Sequence, residues 1–233
     1  MRINKYLAST GLASRRKSEE YVKQGRVAVN GKVVTSLAFD VSEKDLVSLD
    51  GNALNAKEYK YIMLHKPKGY ITSTADDKGR KTIMDLIPAE YKMTKPVGRL
   101  DYDTEGLLLL TNDGDLAQKL TNPNSEVEKT YQVKIEGKIT ESQLAVMRAG
   151  VVIDGIRLKK CKVQIVEQGE KFTKLQVKIT EGKNRQIRKM FDAVGINVSF
   201  LKRIAIADLK LGGLTRGKTR ELKAHEIQYL LEL

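Results

Sequence analysis

The chain has 233 residues, 41% of them hydrophobic, and a formal net charge of +13, which indicates a folded protein of one or two domains. No apolar run approaches the roughly 20 residues needed to cross a bilayer, and Arg2 and Lys5 come too early for a secretory signal, so we expect a cytoplasmic protein without a membrane partner. A single cysteine, Cys161, excludes an internal disulfide and a thiolate zinc site, and two histidines leave little for an imidazole site.

The positive charge is concentrated in two stretches of the chain. Residues 2–32 contain eight Lys or Arg and two Glu, a net charge of +6, and residues 182–223 contain eleven Lys or Arg and three acids, a net charge of +8. The rest of the chain therefore sums to −1. Two basic stretches on a nearly neutral body favour a nucleic acid partner, because neither stretch has the long apolar face of a membrane-surface helix.

The first basic stretch predicts two short helices followed by a β-hairpin. Apolar residues with helical spacing indicate a helix over residues 3–11, and Ser14 is a favourable N-cap for a second helix that ends at Gly25. Alternating valines over residues 27–34 flank an Asn-Gly pair that is typical of a type I′ hairpin turn. We expect this unit to close near residues 50–51.

Five basic residues lie on this small unit: Arg15, Arg16, Lys17, Arg26 and Lys32. The first three fall in the first turn of the second helix, where a positive charge opposes the helix dipole, so stability alone does not favour them. A phosphate contact at the exposed backbone N–H groups would explain their position. The alternative is a solvated basic face without a ligand.

The order of these residues resembles the signature of the S4 RNA-binding domain. The similar run passes from Arg2 through residues 14–17 and 25–27 to residues 29–31, and it covers about the first fifty residues. The resemblance implies that residues 1–58 form an S4-like domain and that the five basic residues contact RNA.

The middle of the chain predicts a linker followed by mixed secondary structure. Polar residues 52–60 indicate the linker; strands are expected at 61–64 and 70–73 around a turn at 66–69. A helical signal covers residues 83–86. The apolar run 107–110 indicates a buried strand or the centre of a sheet, and a turn at 113–114 precedes a helix over 115–120.

Asp101 stands out because a carboxylate near an RNA-binding surface opposes binding. Asp101, Asp103, Glu105 and Gly106 fit positions 1, 3, 5 and 6 of an EF-hand loop, but leucines occupy positions 7 to 10 and position 12 is an asparagine, which argues against calcium. Two interpretations remain. Asp101 is either a turn-forming residue that hydrogen-bonds its own backbone or a catalytic carboxylate.

Three short motifs resemble those of pseudouridine synthases. They are Gly98-Arg99-Leu100-Asp101, then Lys129-Thr130-Tyr131, then residues 182–188 (Gly-Lys-Asn-Arg-Gln-Ile-Arg). With the S4-like unit in front, nearly the whole chain is similar to the family of ribosomal pseudouridine synthases that act on the small or large subunit. The run over residues 76–82 is more similar to the large-subunit members.

The resemblance implies that Asp101 is catalytic, either as a nucleophile at the sugar or the base or as the base that takes the C2′ proton. Both roles need an ionised carboxylate, so a nearby cation should lower the pKa of Asp101, and Arg188 is our candidate for that cation. Strand alternation over 173–179, a turn at 181–184 and an apolar helix face from Ile187 to Gly195 place Arg185 and Arg188 on the opposite face of the helix. A basic face that binds phosphate is the alternative for both arginines.

The other residues of the motifs imply roles in binding the substrate. Tyr131 would stack on the target base, a contact of roughly 1 to 3 kcal/mol; ordinary core packing with Val133 and Ile135 is the alternative. Arg99 would fill the space of a flipped uridine or contact a phosphate, and its alternative is a structural salt bridge to Asp103 or Glu105. Lys129 and Arg185 would also bind the substrate. Isomerisation needs no cofactor and no metal.

We therefore predict an α+β protein, with an S4-like RNA-binding domain at 1–58 and a catalytic domain at 59–233 built on a mixed, largely antiparallel sheet. The predicted activity is the isomerisation of one uridine to pseudouridine in ribosomal RNA, most simply that of the large subunit. The expected partner is ribosomal RNA or a pre-ribosomal particle, and we expect a monomer. The alternative function is a non-catalytic RNA-binding module in ribosome assembly.

Overall fold

The computed structural model describes residues 1–42, 44–54 and 58–233. Contacts between Cα atoms divide the chain into two units, one formed by Met1–Lys60 with Asn112–Gly114 and the other by Tyr61–Thr111 with Asp115–Leu233. In the described part of the chain, no helix combines the length and the apolar character needed to span a lipid bilayer.

The N-terminal unit contains the two predicted helices and an antiparallel sheet. Its elements are α1 (Ile3–Ser9), α2 (Arg15–Lys23), β1 (Val27–Val29), β2 (Lys32–Val33), β3 (Val47–Leu49) and β4 (Asn52–Leu54). The strands pair in the order β2-β1-β3-β4. The apolar faces of both helices and of β1 and β3 form one core, which contains Ile3, Leu7, Val22, Val27 and Val47.

Local sequence explains these elements, and the predicted helices and hairpin are confirmed. The Ser14 hydroxyl accepts a hydrogen bond from the Lys17 backbone N–H at 3.3 Å, as an N-cap does. Asn30 and Gly31 both have positive φ, 50° and 80°, as a type I′ turn requires. The unit does not close at 50–51: these residues form a second hairpin turn into β4, where a linker was predicted. Residues 55–57 of the predicted linker lie outside the described residues.

The larger unit contains the remaining elements. They are β5 (Tyr61–Lys66), β6 (Lys95–Val97), β7 (Glu105–Thr111), α3 (Gly114–Thr121), β8 (Lys129–Glu136), α4 (Glu141–Ala149), β9 (Val152–Ile153), β10 (Ile156–Arg157), β11 (Lys162–Gln168), β12 (Phe172–Ile179), α5 (Gln186–Asp192), β13 (Val198–Ile206), β14 (Leu209–Lys210), β15 (Thr219–Glu221) and α6 (Ala224–Glu232). The strands expected at 61–64, 107–110 and 173–179 and the helices expected at 115–120 and from residue 187 are confirmed.

The main sheet runs in the order β11-β12-β8-β13-β7-β5-β15, with β14 beside β13 and β6 beside β7. Its pairs are antiparallel except for β13 and β7, which are parallel. The predicted α+β fold with a mixed, largely antiparallel sheet is therefore confirmed. The leucines of β7 alternate between two cores, Leu108 and Leu110 on one face and Leu107 and Leu109 on the other. The continuous apolar run thus follows from a central strand that is covered on both sides.

The strand predicted at 70–73 is wrong. In this segment only Ile71 makes a β-bridge, to Thr82. The backbone N–H of Ile71 donates to the Lys81 carbonyl oxygen, and the N–H of Ile83 donates to the Ile71 carbonyl oxygen, both at 3.0 Å. Residues 70–73 thus belong to a loop that folds back on itself. The helix predicted at 83–86 is a single 3₁₀ turn, Ile83–Asp85.

Candidate active site

A cavity of about 420 Å³ opens where the loop between β6 and β7 meets β8, β13 and the start of α5. Its polar lining residues include Arg99, Asp101, Thr104, Lys129, Tyr131, Glu181, Lys183, Arg185 and Arg203. Its apolar lining residues include Leu100, Ile179, Ile187, Leu201 and Ile206. Three segments that are far apart in the sequence thus bring the predicted motifs together around Asp101.

The backbone of the Asp101 loop is held by Lys66 at the end of β5. The Lys66 ammonium is fully buried and donates to the carbonyl oxygens of Asp101 and Thr104, both at 2.9 Å, and of Pro67 at 3.1 Å. Burial lowers the pKa of Lys66 to about 8, although the nearby carboxylates of Asp101 and Asp103 oppose this shift. Sequence reasoning treated Lys66 as a turn residue and missed this function, for which its place at the end of an apolar strand was the available signal.

The Asp101 side chain is partly exposed in the cavity. Among the residues that the structure describes, no hydrogen bond or ion pair engages its carboxylate. The Asp101 carbonyl oxygen, in contrast, also accepts a hydrogen bond from the Thr104 backbone N–H at 3.1 Å. The loop is therefore fixed by main-chain atoms, and the carboxylate itself is available to a ligand.

Arg188 pairs with Asp103, whereas sequence reasoning assigned it to Asp101. Its Nη2 donates to the Asp103 carbonyl oxygen at 3.1 Å, its Nε lies 3.1 Å from Asp103 Oδ2, and its Nη1 donates to the Val198 carbonyl oxygen at 2.9 Å. All three nitrogens thus have a neighbour other than Asp101. Arg188 is mostly buried, with 11% of its side chain exposed, and its contacts with Asp103 hold the Asp101 loop in place.

Asp103 is therefore the carboxylate that the two arginines of the third motif share. Arg185 Nη1 lies 3.2 Å from Asp103 Oδ1. Burial alone would raise the pKa of Asp103, but the hydrogen bond from Arg185 and the charges of Arg188 and Arg185 outweigh it and lower this pKa below its ordinary value. Two residues that a calcium site would use as ligands are thus already paired with arginines: Asp103, and Glu105, which lies 3.1 Å from Arg216.

Arg185 does not lie on the helix face that its spacing from Arg188 predicted. It precedes α5 as the N-cap and has φ 51° and ψ 31°, a left-handed conformation that costs a non-glycine residue about 1 kcal/mol. Glu181 supports the loop before it, because Glu181 Oε1 accepts hydrogen bonds from Gln186 Nε2 at 2.8 Å and from the Lys159 N–H at 2.9 Å. In this conformation the exposed Arg185 lines the cavity.

Tyr131 and Lys129 enter the cavity from β8. Tyr131 is 9% exposed and shares a strand face with the fully buried Val133 and Ile135, so it packs in the core and lines the cavity at once. Burial lowers the pKa of Lys129, and the positive charge of Arg203 lowers it further. The stacking role predicted for Tyr131 and its core-packing alternative are therefore compatible.

Arg99 is exposed at the edge of the cavity. The alternative considered for it, a salt bridge to Asp103 or Glu105, is not formed among the described residues, because Arg185 and Arg216 take those carboxylates. Within the described residues, Arg99 thus has no ion pair that would compete with a ligand.

Two family models match the chain. The model described as RNA pseudouridylate synthase matches residues 60–193, which is more than half of the chain, and the model for the S4 domain matches residues 1–47. The chain belongs to the RNA pseudouridylate synthase family. It is an enzyme with an N-terminal S4 domain, as the motifs predicted.

The relatives of this pseudouridylate synthase match over its whole length. Ribosomal large subunit pseudouridine synthase B of Bacillus subtilis is 42% identical over all of this chain and 96% of its own. Dual-specificity RNA pseudouridine synthase RluF of Escherichia coli is 37% identical over all of this chain and 79% of its own. A crystal structure of a pseudouridylate synthase has a TM-score of 0.71 and 31% identity over 99% of each chain.

The predicted RNA contacts of the S4 domain in this pseudouridylate synthase divide into free and paired residues. Arg15, Arg16 and Lys32 are exposed, and among the described residues none of them has an ion pair. Lys17 pairs with Glu20 at 2.6 Å. Arg26 donates to Asp50 Oδ1 at 3.0 Å and lies 4.4 Å from the Tyr21 ring centroid, so it has a structural role in addition to any contact with RNA.

Proposed function

We propose that this pseudouridylate synthase isomerises a specific uridine of large-subunit ribosomal RNA, with Asp101 as the catalytic carboxylate. The observation that carries the proposal is the Asp101 carboxylate itself, which no described residue engages, in a cavity that also contains the other predicted substrate contacts. The full-length similarity to a large-subunit enzyme supports the choice of RNA. The dual specificity named for a second relative leaves room for more than one target uridine.

The proposed chemistry needs one ionised carboxylate and no cofactor. The enzyme must break the bond between C1′ and N1, turn the base and form a bond between C1′ and C5. Asp101 attacks the sugar or the base as a nucleophile, or it takes the C2′ proton. Lys66 holds the main chain of the Asp101 loop, and Arg185 and Arg188 pair with the neighbouring Asp103.

The substrate must leave its stack to reach Asp101, which costs a few kcal/mol. We propose that Tyr131 stacks on the flipped uridine and that Arg99 occupies the vacated space or holds a phosphate. Lys129 and Arg185 contact the same nucleotide from the cavity wall. Arg188 acts through Asp103 and is a positioning residue in this scheme.

We propose that residues 1–58 form the S4 domain and residues 59–233 the catalytic domain, and that the exposed arginines at the start of α2 bind RNA phosphates away from the target. Backbone N–H groups at that helix start support the assignment. The RNA is bound free or within a pre-ribosomal particle, and the enzyme acts as a monomer in the cytoplasm.

Asp101→Asn tests the proposal, because the substitution keeps the shape of the side chain and removes its charge. We expect pseudouridine formation in ribosomal RNA to vanish, RNA affinity to be retained and the melting temperature to be unchanged. Asp192→Asn at the exposed end of α5 is the matched control and should retain full activity. Unchanged activity of Asp101→Asn would contradict the catalytic assignment. An inactive wild-type protein that binds RNA would favour the non-catalytic alternative.

A further inference from the structure

Arg203 is a buried cation that the proposed chemistry has not yet used. It lies on β13, directly opposite Tyr131 on β8, and lines the same cavity as Asp101. Only 5% of the residue is exposed. Its Nε donates to the Leu107 carbonyl oxygen at 2.8 Å. In the described parts of the chain, its two terminal nitrogens have no hydrogen-bond partner and no carboxylate pairs with the guanidinium.

A second polar group of the cavity is in the same condition. The buried hydroxyl oxygen of Thr104 and Arg203 Nη2 both lack a hydrogen-bond partner among the described residues, and both residues line the cavity. Buried polar groups in folded proteins nearly always have partners, and an unpaired buried charge is costly. Arg203 thus keeps donors that no described residue uses, on a residue that lines the cavity.

The position of Arg203 indicates which part of a nucleotide it meets. The other arginines of the cavity, Arg99 and Arg185, are exposed at its rim, where a hydrated phosphate can remain in contact with water. Arg203 instead lies beside Tyr131 among the apolar residues of the wall. Such surroundings fit the flat, weakly hydrated base, whose carbonyl oxygens are its strongest acceptors.

We propose that Arg203 is a further catalytic residue, whose guanidinium binds a carbonyl oxygen of the uracil ring and stabilises the negative charge that the ring acquires when the glycosidic bond breaks. The inference rests on the proposed function. Preorganised donors in a site without water are the arrangement that stabilises developing charge most effectively.

The charge on the ring follows from the bonds that change. When the bond between C1′ and N1 breaks, both electrons remain with the uracil, and its charge spreads over N1, O2 and O4. Where Asp101 acts on the sugar, the sugar either bonds to Asp101 or loses its C2′ proton to Asp101. After the base has turned, C5 bonds to C1′, Asp101 leaves the sugar or returns the proton, C5 loses its proton and N1 gains one. Arg203 is needed only while the uracil is detached.

Arg203→Met removes the donors and keeps the length of the side chain. We expect the single-turnover rate at saturating enzyme to fall about 100-fold, as for the loss of one donor to a developing oxyanion, while RNA affinity changes less than threefold. The matched control is Arg148→Met, because Arg148 Nε also donates to a strand carbonyl oxygen, that of Val163 at 3.0 Å, outside the cavity. Arg148→Met should lose any stability that the hydrogen bond to Val163 provides, and its single-turnover rate should equal that of the wild type.

Modified substrates separate the proposed contact from a structural role. The target uridine, in a fragment of large-subunit RNA that the wild-type enzyme modifies, is replaced by 2-thiouridine or 4-thiouridine, since sulfur is a weaker acceptor. We expect one of these to slow the wild type and to slow Arg203→Met no further, and Arg203→Lys to recover part of the rate.

Equal slowing of wild type and Arg203→Met by both thio-substitutions would overturn the inference. It would also be overturned if the coupling appeared instead with a methylphosphonate at the target phosphate. A wild-type enzyme without activity on any large-subunit RNA would overturn the proposed function, and the inference with it, so the two failures are distinguishable.

Discussion

Lys66→Met removes the ammonium that fixes the Asp101 loop and leaves a side chain of similar length. Three carbonyl groups, one in a buried and two in partly buried hydrogen bonds, lose a charged donor, at about 2 kcal/mol each. Against this, the charged ammonium no longer has to be buried, and its lowered pKa of about 8, from an ordinary 10.5, corresponds to about 3 kcal/mol at pH 7. We expect the free energy of unfolding to fall by about 3 kcal/mol at pH 7.

The pH dependence of this loss is a sharper test than its size. Between pH 8 and pH 10.5 the unfolded chain keeps the Lys66 proton that the folded protein has released, so the stability of the wild type rises with pH in this window by up to about 3 kcal/mol. Burial raises the pKa of Cys161 to about 11 from 9.0, so the titration of this thiol lowers the stability of the folded protein as the pH rises between those values. Because both proteins contain Cys161, its effect cancels in the difference.

Urea unfolding followed by circular dichroism at pH 7, 8, 9 and 10 measures the difference between wild type and Lys66→Met. The difference should grow across this series, because only the wild type has the titrating ammonium. The exposed Lys210→Met is the control and should reproduce the pH dependence of the wild type. A difference that stays constant from pH 7 to pH 10 would refute the burial argument for Lys66.

Three further variants test the sheet and the RNA-binding surface. Gly106 has φ 117°, and an added Cβ would lie 2.2 Å from the Arg203 carbonyl oxygen. Gly106→Ala should therefore lower the free energy of unfolding, measured by thermal denaturation, by about 3 kcal/mol or prevent folding. A change below 1 kcal/mol would contradict the close approach of β7 and β13. Replacing both Arg15 and Arg16 by Ala should reduce the slope of log affinity against log salt for RNA by about 1.5, at about 0.7 to 0.9 for each phosphate contact. Arg26→Ala, which removes a residue already paired within the domain, should reduce the slope less, and an equal effect would refute this ranking.

The sequence predicted the elements whose signals are local. Ser14, the Asn30-Gly31 pair and the alternation on β12 each depend on a few neighbouring residues, and the corresponding helix, turn and strand are present. The short strand Asn52–Leu54 was taken for a linker because only its pairing with β3 makes it a strand. Cross-strand pairing is a property of the fold, so a polar sequence does not exclude it.

The site was predicted in its members but not in its contacts. The motifs bring Asp101, Tyr131 and Arg185 to one cavity, as expected, whereas the partner of Arg188 depends on which carbonyl and carboxylate of the Asp101–Glu105 turn face α5. Arg203 was counted among the RNA-facing charges of the second basic stretch. Its burial follows from the parallel pairing of β13 with β7, which no local pattern indicates.

The loop that contains Asp101 is held through its main-chain oxygens, and no described residue binds the Asp101 carboxylate, so this carboxylate does not hold the loop in place. A protein that has lost only this carboxylate should therefore keep a fully formed cavity and hold its RNA without converting it. Crosslinking such a stalled complex in cells, followed by sequencing of the captured RNA, would reveal which uridine is the target. The separation of scaffold from reactive group thus turns an inactive enzyme into a tool for finding its own substrate.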